Sequence, residues 1–161
     1  MGRSTNSSAE PAADKPFRLH ALGNVLPLRP IRVLLAGRDT RYLRVMRFLL
    51  ARRGYETRQI PKGSVLMDEA ASFGPDVVLL ADASSFGETA AQAAGLLASF
   101  DRLNVIISTS RQGSMDTKRL RFVPKWGSFD TLTDAVERSW ADLPPALPGL
   151  GVQAAEQMPD A

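Results

Sequence analysis

Pro75-Asp76-Val77-Val78-Leu79-Leu80-Ala81-Asp82 is an unbroken apolar run, opened by a proline and ended by a carboxylate. A run of this length without polar alternation fits a strand covered on both faces, the interior strand of a parallel sheet. Sheets of that kind gather their chemistry at the carboxyl ends of the strands, where Asp82 falls. Upstream, a second apolar run, Ile31-Arg32-Val33-Leu34-Leu35-Ala36, ends in Gly37-Arg38 before Asp39.

Working outward from these two runs, segments of strand length alternate with segments of helical period, the pattern of consecutive βαβ units. Strands are expected at 31–36, 56–60, 76–81, 104–108 and 120–123. Residues 56–60 alternate polar and apolar, which suits a sheet edge. Asp39 or Thr40 can cap the first helix, with Tyr42, Leu43, Val45, Met46, Leu49 and Leu50 on its buried side and Gly54 closing it. Further helices are expected at 64–73, 88–100 and 128–140, the last with a stripe of Phe129, Leu132, Val136 and Trp140. Five strands and about five helices fill the length.

The chain of 161 residues suits one ordinary core with tails. Residues 1–29, with Ser, Asn, Ala and Pro at their start, and residues 141–161, punctuated by Pro144, Pro145, Pro148, Gly149 and Gly151, are expected to be mostly unstructured. Cysteine is absent and His20 is the single histidine. Disulfides, thiolate chemistry and clustered imidazole metal sites are thereby excluded within one chain. No apolar run has the length to cross a membrane, and the start lacks the apolar core of a secretory signal, so a cytoplasmic location is expected. The formal charge of +3 comes from arginines spread along the chain, which does not point to nucleic acid.

Over residues 30–140 the sequence resembles the receiver domain of bacterial two-component response regulators. The matching marks are Pro75-Asp76 opening a hydrophobic strand, Arg52-Arg53-Gly54-Tyr55-Glu56 ending the first helix, Thr109 after Val105-Ile106-Ile107-Ser108, and Lys125 closing the last strand. The resemblance implies a flavodoxin-like, doubly wound α/β fold, with a five-stranded parallel sheet of order 2-1-3-4-5 and helices on both faces. It also implies an aspartate phosphoacceptor, Mg²⁺ held by two acids after the first strand, and a hydroxyl, a lysine and an aromatic that read the new charge. Asp82 is the phosphoacceptor candidate, and Thr109, Lys125 and Phe122 fall at the reading positions.

The departures shape the functional reading. Gly37 and Arg38 stand at the acid-pair positions, and Mg²⁺ needs hard oxygen ligands that neither supplies. Asp39, just beyond, reads as a helix cap. Counted in the family's usual spacing from Pro75-Asp76, the acceptor position is Ala81; Asp82 lies one residue past it, on the other side of a strand. Asp82 therefore admits two readings, an acceptor reached through a bulge or a loop-initiating aspartate beside Ser84 and Ser85. Arg38 near Asp82 can also stand in for the metal's charge. Lys125 is followed by Trp126 where the family keeps a proline. The interval from Thr109 to Lys125 is short and polar, so the helix expected there is stunted or a loop.

On the first helix Arg41, Arg44, Arg47 and Arg52 point away from the apolar side with Phe48 among them. That face reads either as a partner surface or as a solvated basic face. The expectation is a stand-alone atypical receiver, not an enzyme and with no cofactor, acting through a protein partner: a histidine kinase, a phosphotransfer protein or another regulator. The alternatives are a working phosphoacceptor at Asp82 with non-standard metal dependence, and a flavodoxin-like domain that binds a small ligand or nucleic acid. The sequence holds neither G-x-G-x-x-G nor a Walker loop to support the last.

Overall fold

The apolar runs fold as five parallel strands, and a computed structural model describes them within residues 29–81, 85–110 and 116–144. The strands are β1 (Arg32–Gly37), β2 (Glu56–Gln59), β3 (Val77–Ala81), β4 (Asn104–Thr109) and β5 (Leu120–Pro124). They pair in the order β2-β1-β3-β4-β5, every pairing parallel. The helices among the described residues are α1 (Thr40–Arg52), α2 (Leu66–Phe73), α3 (Phe86–Ser99) and α4 (Phe129–Ala141). This is the expected doubly wound α/β fold with the expected strand order.

The pleat divides the apolar runs between two cores. Val33, Leu35, Val77, Leu79 and Ile106 face Tyr42, Leu43 and Leu50 of α1 and Leu132, Ala135 and Val136 of α4. Leu34, Val78, Leu80, Val105 and Ile107 face Ala70 and Phe73 of α2 and Ala93 and Leu96 of α3. Every residue of β3 and β4 is buried, whereas β2 alternates exposed and half-buried positions at the sheet edge, as its polar alternation requires.

Side chains tie the ends of the elements together. Asp76, buried at the amino end of β3, accepts two hydrogen bonds from the Arg29 guanidinium, at 2.7 and 2.9 Å, and one from the Arg32 backbone N–H. The Arg119 guanidinium donates to the carbonyls of Leu97, Phe100 and Leu103, satisfying the exit of α3. Ser85 and Ser128 cap α3 and α4 through their hydroxyls. Gly54 follows α1 with φ +87°, the left-handed closure expected of it.

Two expectations need correction. Val45 does not join the buried side of α1; it is 51% exposed, because at about 100° per residue it turns past the edge of the apolar arc. Four helices, not five, appear among the described residues. Between β4 and β5 the described residues 110 and 116–119 hold no helix, since the polar segment has no apolar period with which to dock one. Residues 111–115 lie outside the described residues, and Leu120 and Phe122 of β5 are half-buried against the α3 side. At the ends of the described residues, α4 runs to Ala141 and Arg29 is engaged by Asp76. Residues 1–28 and 145–161 lie outside the described residues. No described helix is long and apolar enough to cross a membrane.

Candidate functional site

The carboxyl edge of the sheet brings together the ends of β1, β3, β4 and β5. Gly37 ends β1 in register with Ala81 of β3, and Ala81 with Ser108 of β4. Gly37 sits at φ +152°, and a Cβ built on it would lie 2.0 Å from the Ala81 carbonyl oxygen. Only glycine fits that approach and that backbone angle. The first acid-pair position is thus closed to any side chain while β1 and β3 keep this register. At the second position, the side chain of Arg38 is exposed.

Asp39 does more than cap a helix. Its Oδ1 accepts the Tyr42 backbone N–H at 3.0 Å, while its Oδ2 lies 3.2 Å from the Lys125 ammonium. The Tyr42 N–H first, and the Lys125 ammonium second, hold the Asp39 carboxyl below its ordinary value. Lys125 reaches it with only 10% of its side chain exposed. The ammonium also lies 5.5 Å from the ring centroids of Tyr42 and Trp126, within cation–π range. Trp126 meets Tyr42 edge-on at 5.8 Å, and the Tyr42 hydroxyl shares a buried 2.8 Å hydrogen bond with Ser108. The Lys125 N–H donates to the Thr109 carbonyl, so the last residues of β4 and β5 are joined to the head of α1.

Lys125 and Thr109 thus lie on the same strand-end edge of the sheet as Gly37 and Arg38. Phe122 lies apart from them on the α3 side, stacked on Phe86 with centroids 6.2 Å apart. Asp82 lies outside the described residues. Ala81, at the family's usual acceptor position, is buried in the α1–α4 core. Tyr42, Ser108 and Trp126 were not foreseen as parts of the site. Their one sequence signal was Trp126 in place of proline.

The described residues do not fit Mg²⁺. The ion needs several oxygen ligands in near-octahedral array, and β1 delivers none at 37 or 38. Both oxygens of Asp39 are engaged, by a backbone N–H and an ammonium. No group of three acid or imidazole side chains converges among the described residues. What the edge holds instead is an internal cation, Lys125, already neutralised by a carboxylate.

No protein-family model and no curated protein matches the chain. Solved structures do. The N-terminal domain of the nisin resistance regulator NsrR, a lantibiotic response regulator, aligns at a TM-score of 0.58 and 16% identity, over 68% of this chain and 97% of that one. The receiver domain of the hybrid histidine kinase CckA aligns at 0.51 and 19% identity, over 68% and 98%. The fold is a receiver fold. The pseudo-receiver domain of the CikA protein also aligns, at 0.49 and 16% identity, over 73% and 99%.

On this receiver fold α1 carries the expected arginine face. Arg41, Arg44, Arg47 and Arg52 are exposed. Phe48 is 60% exposed, with the Arg52 guanidinium 5.8 Å from its ring centroid. The opposite side of α1 is held to the sheet and to α4. Just past the end of α1, Arg53 pairs with Asp130 at 2.9 Å and the Tyr55 hydroxyl donates to Glu137 at 3.0 Å, both partners on α4. Burial and the neighbouring Glu137 carboxylate push the Tyr55 hydroxyl's pKa well up, so it stays a donor at any physiological pH.

Proposed function

We propose that this chain is a cytoplasmic two-component-type signalling module, without catalytic activity, that works through contact with a protein partner and without the metal-dependent phosphorylation of an ordinary receiver. The partner is a histidine kinase, a phosphotransfer protein or another regulator, and the contact surface is Arg41, Arg44, Arg47 and Phe48 on α1. The observation that carries this reading is the closed acid-pair position: a side chain at Gly37 would meet the Ala81 carbonyl. Phosphoryl transfer in this setting rests on positioning and charge neutralisation by metal and lysine. Gly37 and Arg38 offer a metal no side-chain oxygen, and the lysine is paired with Asp39, which supports this reading.

The test is a two-dimensional amide NMR titration with Mg²⁺, then with Mg²⁺ plus beryllofluoride as a phosphoryl mimic, on the parent chain and on Asp82→Ala. The proposal expects no shift at Ala81, Thr109 and Lys125 in either protein. Saturable shifts there that disappear in Asp82→Ala would instead establish a working phosphoacceptor with unusual metal dependence.

A further inference from the structure

Helix α3 and strand β5 bound an apolar channel on the side of the sheet away from α1. Phe86, Ala90, Ala94 and Leu97 follow at intervals of four, four and three, one stripe along α3. Phe86 stacks on Phe122, so this stripe faces β5, while Glu88, Gln92 and Ser99 fall on the other flank of the helix. Phe86 is 36% exposed, and Leu120 and Phe122 are half-buried. Residues 110–119, which join β4 to β5, contain a single large apolar side chain, Met115. That composition cannot supply an apolar cover for the channel.

The edge of β5, by contrast, is closed. The outward backbone N–H groups of Leu120 and Phe122 donate to Thr117 Oγ1 at 3.1 Å and to Asp116 Oδ1 at 2.8 Å. A cover must therefore pack on side chains and not join the sheet as a sixth strand.

One stretch outside the described residues has the composition for this. In Phe17-Arg18-Leu19-His20-Ala21 apolar and polar residues alternate, the period of an extended segment with one apolar side, and Leu22, Val25, Leu26 and Leu28 follow. Residues 1–15 contain no aromatic, leucine, isoleucine or valine, so the apolar content of this end is confined to the part next to the domain. The stretch also enters on the correct face. The Asp76 N–H donates to the Arg32 carbonyl, and the Asp76 carbonyl accepts from Asn104, so Asp76 continues the β3 ladder. Two residues before Val78, its side chain falls on the α3 face and holds the Arg29 guanidinium there. From β3 to β5 is two strand spacings, about 10 Å, and residues 22–28 span about 23 Å when extended. The other end of the chain leaves from α4, which packs on the opposite face.

We infer that residues 17–21 lie in the α3–β5 channel as an intramolecular cover, with Phe17, Leu19 and Ala21 against Phe86, Leu97, Leu120 and Phe122 and with Arg18 and His20 outward. This goes beyond the α1 contact, which uses the other face of the sheet. Any outside ligand of the channel has to displace a tethered occupant whose effective concentration is on the order of millimolar.

The experiment places a nitroxide on the full chain at Arg18→Cys, a unique label because the chain has no cysteine, and reads amide intensities by two-dimensional NMR. Phe86, Leu97, Leu120 and Phe122 should lose the most intensity and residues 41–52 of α1 the least. Adding Phe17→Asp and Leu19→Asp to the labelled chain should restore those intensities. Both residues lie outside the two cores, so the shifts of β1, β3 and β4 should stay native. Sodium chloride should leave the pattern unchanged, since the contact is apolar.

Uniform or absent intensity loss, a loss strongest on α1 or β2, or a loss that persists in the aspartate variant would each overturn the inference. So would intensity loss in an isotope-labelled chain without nitroxide when mixed with the nitroxide-bearing one, which would assign the channel to a second copy.

Discussion

At the scale of single residues, the centre is decided by Gly37 and Asp39. Gly37 combines φ +152° with a Cβ position 2.0 Å from the Ala81 carbonyl. Gly37→Asp, like any side chain placed there, should therefore destabilise the domain by at least ~2 kcal/mol, and Gly37→Ala by a similar amount. Equal losses in thermal denaturation assign the effect to the Cβ; a harmless Gly37→Ala would refute the crowding argument. Asp39→Asn isolates charge, because asparagine still caps a helix. The folded Asp39 carboxyl titrates below the ordinary 3.8. Its contribution is thus present above that value and lost as pH falls through the lowered one. The variant should melt below the parent at neutral pH, and the gap should close in the acid range below about pH 3.8. A gap that persists in acid would mean that Asp39 acts through something other than its charge.

At the scale of elements, the strands were readable because the middles of β1, β3 and β4 are buried on both faces and so read as unbroken apolar runs; their observed ends fall within a residue or so of expectation. The connection between β4 and β5 gave no such signal, being a polar segment with no apolar period. The partnership of Asp39 with Lys125 was not readable. Its local signal, an aspartate before a periodic segment, is fully accounted for by the cap, and nothing in the sequence reports a partner brought in from β5 by the sheet. Val45 was misplaced because hydrophobicity alone cannot tell a core-facing valine from one in an exposed stripe. The Pro75-Asp76 mark, by contrast, proves structural. Asp76 joins β3 to β1 by accepting the Arg32 N–H and the Arg29 guanidinium. Asp76→Ala leaves that buried N–H without its acceptor and should cost about 2 kcal/mol or more. Asp76→Asn keeps an acceptor and loses only the pairing with half-exposed Arg29, which should cost under ~1 kcal/mol. Chemical denaturation of both variants measures the difference, and equal losses would contradict this division.

At the scale of the whole molecule, the receiver fold and an ionic centre at its strand edge depend on different residues. The two cores and the parallel register need only the apolar runs, whereas the centre needs oxygen ligands at the end of β1. The separation is testable through ligand linkage. A domain that bound Mg²⁺ with a dissociation constant near ~1 mM would gain about 1.4 kcal/mol at ~10 mM, a rise of several degrees in Tm for a domain of this size. The closed position at Gly37, the exposed guanidinium at Arg38 and the engaged oxygens of Asp39 predict no such gain. Melting of the full chain should be the same with Mg²⁺ and with an equal ionic strength of sodium chloride, which controls for simple screening. A Mg²⁺-specific rise in Tm that Asp82→Ala removes would mean that Asp82 assembles a metal site without the β1 acids. The edge would then be a rebuilt phosphoacceptor centre and not a neutralised one.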